Sequence, residues 1–137
     1  MTSQNITKEY NLEVLRFLEQ MRKNPKTFLN IVTLDNVIIY LDGFCNGLIG
    51  QLVKKAEEDE YIFYKTPDNL VKEYLVASYL IPESKRANVI NPNNTMIMYF
   101  KNKYPKILEQ VDAFLDIAYK CYTYEMAKDE QENRIEN

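Results

Sequence analysis

The 137-residue sequence contains no histidine and no tryptophan, and it contains only three glycines. Without histidine, the chain cannot supply imidazole acid–base catalysis, a Ser-His-Asp or Cys-His nucleophile, or a histidine-containing zinc or haem site. Three glycines leave no room for a glycine-rich phosphate loop. No P-loop, dinucleotide-binding fingerprint, Gly-x-Ser-x-Gly or Cys-x-x-Cys motif occurs. These absences exclude the commonest catalytic systems.

Cysteine is also scarce, and charge is only mildly unbalanced. Cys45 and Cys121 lie far apart in apolar helical stretches, which predicts buried thiols in a reducing compartment rather than a disulfide framework. The net charge is −3 and no basic stripe is evident, so nucleic-acid binding is disfavoured. The chain shows no signal-peptide pattern and no apolar run near the ~20 residues that span a bilayer. We therefore expect a cytoplasmic protein without cofactor, metal or membrane contact.

Apolar residues recur at helical spacing along most of the chain, which predicts an all-α fold. We expect a single domain over residues 1–137, built as a compact bundle of four to five helices, with residues 1–6 and 129–137 frayed. Segments 61–65 and 96–100 are compatible with either strand or helix, and helix is favoured for the second. The predicted helices span residues 7–23, 33–56, 66–80, 96–104 and 105–128.

The helix at about 33–56 is expected to be the central one, with Thr33 as its N-cap. All three glycines, Gly43, Gly47 and Gly50, fall in this helix and share one stripe opposite its leucine face. Each glycine inside a helix costs about 1 kcal/mol relative to alanine, so the stripe needs a reason. Either a neighbouring helix of the same domain packs closely across it, or it forms a groove for a partner, or the helix bends there.

Asp42 is a candidate buried polar residue, because helical phase places it at the edge of the apolar arc. A partly buried carboxylate either finds a partner or has a raised pKa. We expect it to bond the neighbouring turn at 24–29, or to act as a general acid–base or ligand contact. Glu109, Asp112 and Asp116 also share a helix face. We interpret that face as solvated, because di-iron bundles need histidine.

An acidic run follows the second helix and leads into a tyrosine-rich segment. It is interpreted either as a solvated turn or as a contact patch for a basic partner, since tyrosine is enriched at protein interfaces. The candidate partner-binding residues are Glu57, Glu58, Asp59, Glu60, Tyr61 and Tyr64.

Two short segments resemble a family of small bacterial proteins. Those proteins read approximately Arg-Pro-Gly-Met-Tyr-Leu-Gly, then Ser-Leu, then a helix ending in Phe-Leu-Asp-Gly-Tyr. Pro25, Phe28 and Leu29 match or approximate the first block, and Leu41-Asp42-Gly43-Phe44 resembles the second. Lys26-Thr27 stands where the family has Gly-Met, and a further family glycine is replaced by Asn30. The resemblance implies a toxin-immunity role, because some proteins of this kind are encoded beside secreted or contact-dependent toxins.

The functional expectation is a protein-binding module, in particular an immunity protein that covers the active site or an essential surface of a basic bacterial toxin. Two alternatives remain open. One is a helical regulator or self-associating scaffold, and the other is a histidine-free enzyme that uses carboxylates or tyrosine.

Overall fold

The structure is a computed structural model and describes residues 2–56, 62, 64–83 and 92–136. These residues form five α-helices and no strand, which confirms the predicted all-α bundle. The helices are α1 (Ser3–Lys23), α2 (Leu34–Val53), α3 (Pro67–Ala77), α4 (Pro92–Lys103) and α5 (Ile107–Glu136), with a single 3₁₀ turn at Pro25–Thr27.

Local sequence signals set the helix boundaries. The Thr33 hydroxyl accepts a hydrogen bond from the Asn36 N–H at 3.2 Å, so Thr33 caps α2 as predicted. Asn24 ends α1 because it precedes Pro25, which disfavours helical backbone at the preceding residue. Pro67 occupies the first position of α3, where its missing N–H costs nothing.

The middle of the bundle is α5, which packs against each of the other four helices. The prediction that the helix at 33–56 is central is therefore wrong: α2 buries one face against α1, α3 and α5 and leaves the other exposed. The inner face of α5 begins at Val111, because Ile107 and Leu108 in its first turn, which the apolar pattern would also bury, are exposed. Its fully buried side chains are Val111, Phe114, Leu115, Ala118 and Tyr122.

The two ends of the chain also differ from the prediction. Residues 3–6 belong to α1, whose N-cap is Thr2, and residues 129–136 belong to α5. α1 begins early because the side chain of Ile6 is completely buried, and its packing against the core stabilises the first turn of the helix. Within 96–100 the chain is helical, whereas residues 62, 64 and 65 have no regular structure.

The end of α3 is a Schellman motif whose left-handed residue is a tyrosine. The φ angle of Tyr79 is 59°, a conformation that glycine adopts without strain. The Leu80 N–H donates to the Leu75 carbonyl at 2.9 Å, and the Tyr79 N–H donates to the Val76 carbonyl at 3.0 Å. The Tyr79 side chain is 95% exposed, so burial of its ring does not offset the strain.

Candidate functional site

The outward-facing side of α2 is open at its three glycines. A Cβ atom added at Gly43, Gly47 or Gly50 would meet nothing within 4 Å. In the described part of the chain, the interpretation that a neighbouring helix packs closely across the stripe is therefore wrong. We define the outer face of α2 by its exposed residues Ile39, Tyr40, Gly43, Asn46, Gly47 and Gly50.

This outer face carries no charge. Between Asp35 and Lys54, the only charged residue of α2 is Asp42, which lies on the inner edge. Ile39 is 69% exposed and Tyr40 is 38% exposed, so both offer apolar surface to a partner. α2 is also long enough and apolar enough to span a membrane. Core helices of water-soluble bundles share this property.

Aromatic rings hold Tyr40 at the rim of the outer face. The rings of Phe17 and Phe44 stack with their centroids 4.0 Å apart, and Tyr40 lies parallel to Phe17 at 5.8 Å. Phe28, from the segment before α2, completes the cluster at 6.0 Å from Tyr40. Because its ring is held on two sides, Tyr40 loses little conformational freedom when a partner binds.

The candidate partner-binding residues Glu57, Glu58, Asp59, Glu60 and Tyr61 lie outside the described residues. Tyr64, the remaining member of that set, is described, and it connects to α2. Its hydroxyl bonds the Asn46 side-chain oxygen at 3.1 Å, and its ring packs edge-on against Tyr10 at 5.6 Å. Tyr64 is partly exposed, so it adds aromatic surface beside Asn46 on the outer face.

Asp42 lies beside a second carboxylate that sequence reasoning missed. Its neighbour is Asp68 in the first turn of α3, rather than the expected turn at 24–29. Burial, followed by the hydrogen bond and charge of Asp68, raises the pKa of Asp42 to about 7, and Lys72 partly opposes this change. The Oδ1 atoms of Asp42 and Asp68 are both buried and have no hydrogen-bond partner.

Asp68 was missed because its local signal indicates another role. An aspartate directly after Thr-Pro is typical of the first turn of an exposed helix, where it interacts with the helix dipole. Asp68 is instead only 6% exposed. Nothing in the local pattern shows that α2 lies over this turn, because that contact joins segments far apart in sequence.

Two buried tyrosines anchor the backbone just before α3. The hydroxyls of Tyr10 and Tyr122 both donate to the Lys65 carbonyl, the first at 2.7 Å. Burial is the largest cause that raises the pKa of each hydroxyl, so both remain protonated donors. The Cys45 thiol lies next to Tyr10, and burial raises its pKa to about 11. These groups are held neutral and do not form a reactive nucleophile.

The acidic face of α5 has a cationic partner from α1. The Arg22 guanidinium bonds Asp112 at 2.7 Å and Asp116 at 2.9 Å, and these bonds join the C-terminal end of α1 to α5. Hydrogen bonds from Lys120 and Arg22 lower the pKa of Asp116. Among the described residues, no group of three or more metal-ligating side chains occurs.

A groove with a volume of about 480 Å³ lies between α3 and α5. Its lining is mostly apolar and includes Leu70, Tyr74, Ile117 and Tyr124. Neither Asp42 nor Asp68 lines it, so the buried carboxylates do not face this groove.

Comparison of the chain with protein-family models, with curated proteins and with solved structures finds no match in any of the three.

Proposed function

We propose that this protein acts by binding another protein through the outer face of α2. The observation that carries the proposal is an exposed, uncharged helix face, which includes Ile39, Tyr40 and three glycines. Exposed apolar patches of this kind mark interaction surfaces, and glycines let a partner's backbone approach closely. Tyrosine is also among the residues that most often dominate binding energy.

The energetic cost of the glycines supports a binding role. Inside a helix, glycine costs about 1 kcal/mol relative to alanine, and no described residue packs against Gly43, Gly47 or Gly50 to offset that cost. Stability given up at exposed positions is typical of surfaces kept for function.

The partner we propose is a basic toxin domain, and the protein would neutralise it by steric occlusion, as an immunity protein does. The resemblance around Pro25 and Leu41-Asp42-Gly43-Phe44 implies this role. The net charge of −3 supports it, because opposite charge speeds association. In the sequence, the acidic run begins at Glu57, only four residues after α2 ends at Val53. If the toxin is a nuclease, these carboxylates would imitate the phosphates of its substrate.

The experiment introduces a charge in the middle of the outer face. The first step is to look for a gene beside this one that encodes a toxin domain. With that domain as the binding partner, we expect Gly47→Lys to reduce affinity by at least about tenfold, because a buried unpaired ammonium costs more than 1.4 kcal/mol. Titration calorimetry measures the affinity, and growth during co-expression measures protection.

Two variants serve as controls. Gly47→Ala keeps the face uncharged, and Gln20→Lys adds the same charge at an exposed position of α1. We expect Gln20→Lys to bind like the wild type and Gly47→Ala to lose less affinity than Gly47→Lys. A folded Gly47→Lys protein that still binds and protects fully would show that the partner does not bind through the outer face of α2.

The same face favours one alternative, self-association. Asp35 and Lys54 lie near opposite ends of α2, so two copies crossing in antiparallel orientation would place each aspartate near the partner copy's lysine. Sedimentation of the protein alone separates the two functions. A dimer that Gly47→Lys dissociates would support the scaffold, whereas a monomer at all concentrations would support a different partner.

A further inference from the structure

The carboxyl groups of Asp42 and Asp68 meet where α2 crosses the first turn of α3. Asp68 is almost completely buried, and one oxygen of each carboxyl group is buried without a hydrogen-bond partner. Two ionised carboxylates in this position would repel each other and would leave both oxygens unsatisfied. A single proton solves both problems, because a protonated carboxyl becomes a donor to its neighbour.

The groups around the pair do not supply a strong countercharge. Tyr10 of α1 and Tyr122 of α5 donate their hydroxyls to the Lys65 carbonyl, and the Cys45 thiol of α2 is buried and neutral. Lys72, one turn further along α3, is the cation that acts on Asp42. It is half-buried, and it opposes the effect of Asp68 only in part.

We propose that Asp42 and Asp68 share one proton, and that this proton acts as a pH-sensitive clamp between α2 and α3. While the proton is bound, the pair forms a hydrogen bond across the helix contact. When the proton leaves, like charges remain in a desolvated position and the contact weakens. Comparable carboxyl pairs share a proton for the same electrostatic reason.

The sign of the pH effect follows from the direction of the pKa change. The folded chain holds the Asp42 proton more tightly than the unfolded chain, because the pKa rises from 3.8 to about 7 on folding. The stabilisation is therefore fully present below about pH 4 and is lost as the pH rises through about 7. Above that pH, no further loss comes from this pair.

The test is urea unfolding of the full chain between pH 4 and pH 8.5. For the wild type, we expect the unfolding equilibrium constant to rise about 10- to 100-fold across this range. This is less than the roughly 1,000-fold expected for full burial, because Asp42 is only partly buried. Asp42→Asn should remove this dependence and exceed the wild type in stability at pH 8, since the amide donates to Asp68 without needing a proton.

Asp35→Asn is the matched control, because it removes an exposed carboxylate from the same helix and should leave the pH dependence unchanged. Carboxyl-carbon NMR of the folded protein gives a second readout that does not depend on any variant. One aspartate that titrates near pH 7 would support the clamp. A wild-type stability that does not fall with pH, an Asp42→Asn protein that keeps the dependence, or titration of all aspartates near pH 4 would overturn it.

Discussion

At the scale of single residues, glycine and tyrosine occupy unexpected positions. The three glycines lie inside an exposed stretch of helix, where they lower stability, whereas the left-handed position after α3 is held by Tyr79. A non-glycine residue in this conformation costs roughly 1–2 kcal/mol. The nearly complete exposure of its ring shows that no internal packing compensates for the strain.

We predict that Tyr79→Gly raises the free energy of unfolding by about 1 kcal/mol, because glycine adopts the left-handed conformation without strain. Urea unfolding measures the change. Tyr79→Ala is the control, since alanine removes the ring but keeps the strain, and its stability should stay near that of the wild type. A Tyr79→Gly protein less stable than the wild type would show that the tyrosine ring contributes contacts to the fold.

At the scale of helices, the open space on the outer face of α2 leads to a second prediction about stability. We expect Gly47→Ala to raise the free energy of unfolding by up to about 1 kcal/mol, because an added methyl group meets open space and alanine favours helix. Thermal unfolding followed by circular dichroism provides the measurement. Ala118→Gly provides the opposite comparison. Ala118 is fully buried in α5, so Ala118→Gly removes a methyl group from the core. The free energy of unfolding should therefore fall by more than the about 1 kcal/mol that separates alanine from glycine in helix preference.

Helix boundaries were largely predictable because they depend on neighbouring residues. Thr33 caps α2 as predicted, α1 ends at Lys23 as predicted, and α3 begins at Pro67, within one residue of the predicted start. Which helix lies at the centre was not predictable in the same way. Both α2 and α5 are rich in apolar residues, and only the tertiary arrangement shows that α5 contacts all four others.

The candidate site was predictable only where a single helix determines it. Helical phase placed Gly43, Gly47 and Gly50 in one stripe and Asp42 at the edge of the apolar arc. The meeting of Asp42 with Asp68, and the convergence of Tyr10 and Tyr122 on Lys65, join residues from different helices. Such contacts depend on how the helices pack, which no local pattern contains.

At the scale of the whole molecule, the helices share one connected core. Buried residues of α1, α2, α3, α4 and α5 form a single hydrophobic cluster. We therefore predict that the chain unfolds in one cooperative step, with far-ultraviolet circular dichroism and tyrosine fluorescence giving coincident transitions in urea. Transitions at different urea concentrations would show instead that part of the bundle unfolds separately and would contradict a single domain.

The double anchoring of the Lys65 carbonyl has an evolutionary consequence. The backbone that leads into α3 is fixed by Tyr10 and Tyr122, which belong to helices distant in sequence, and Thr66 makes no side-chain cap bond there. The start of α3 is therefore specified without information from the preceding acidic run. Substitutions in the acidic run at 57–60 can therefore accumulate while the two tyrosine hydrogen bonds that position α3 are inherited intact.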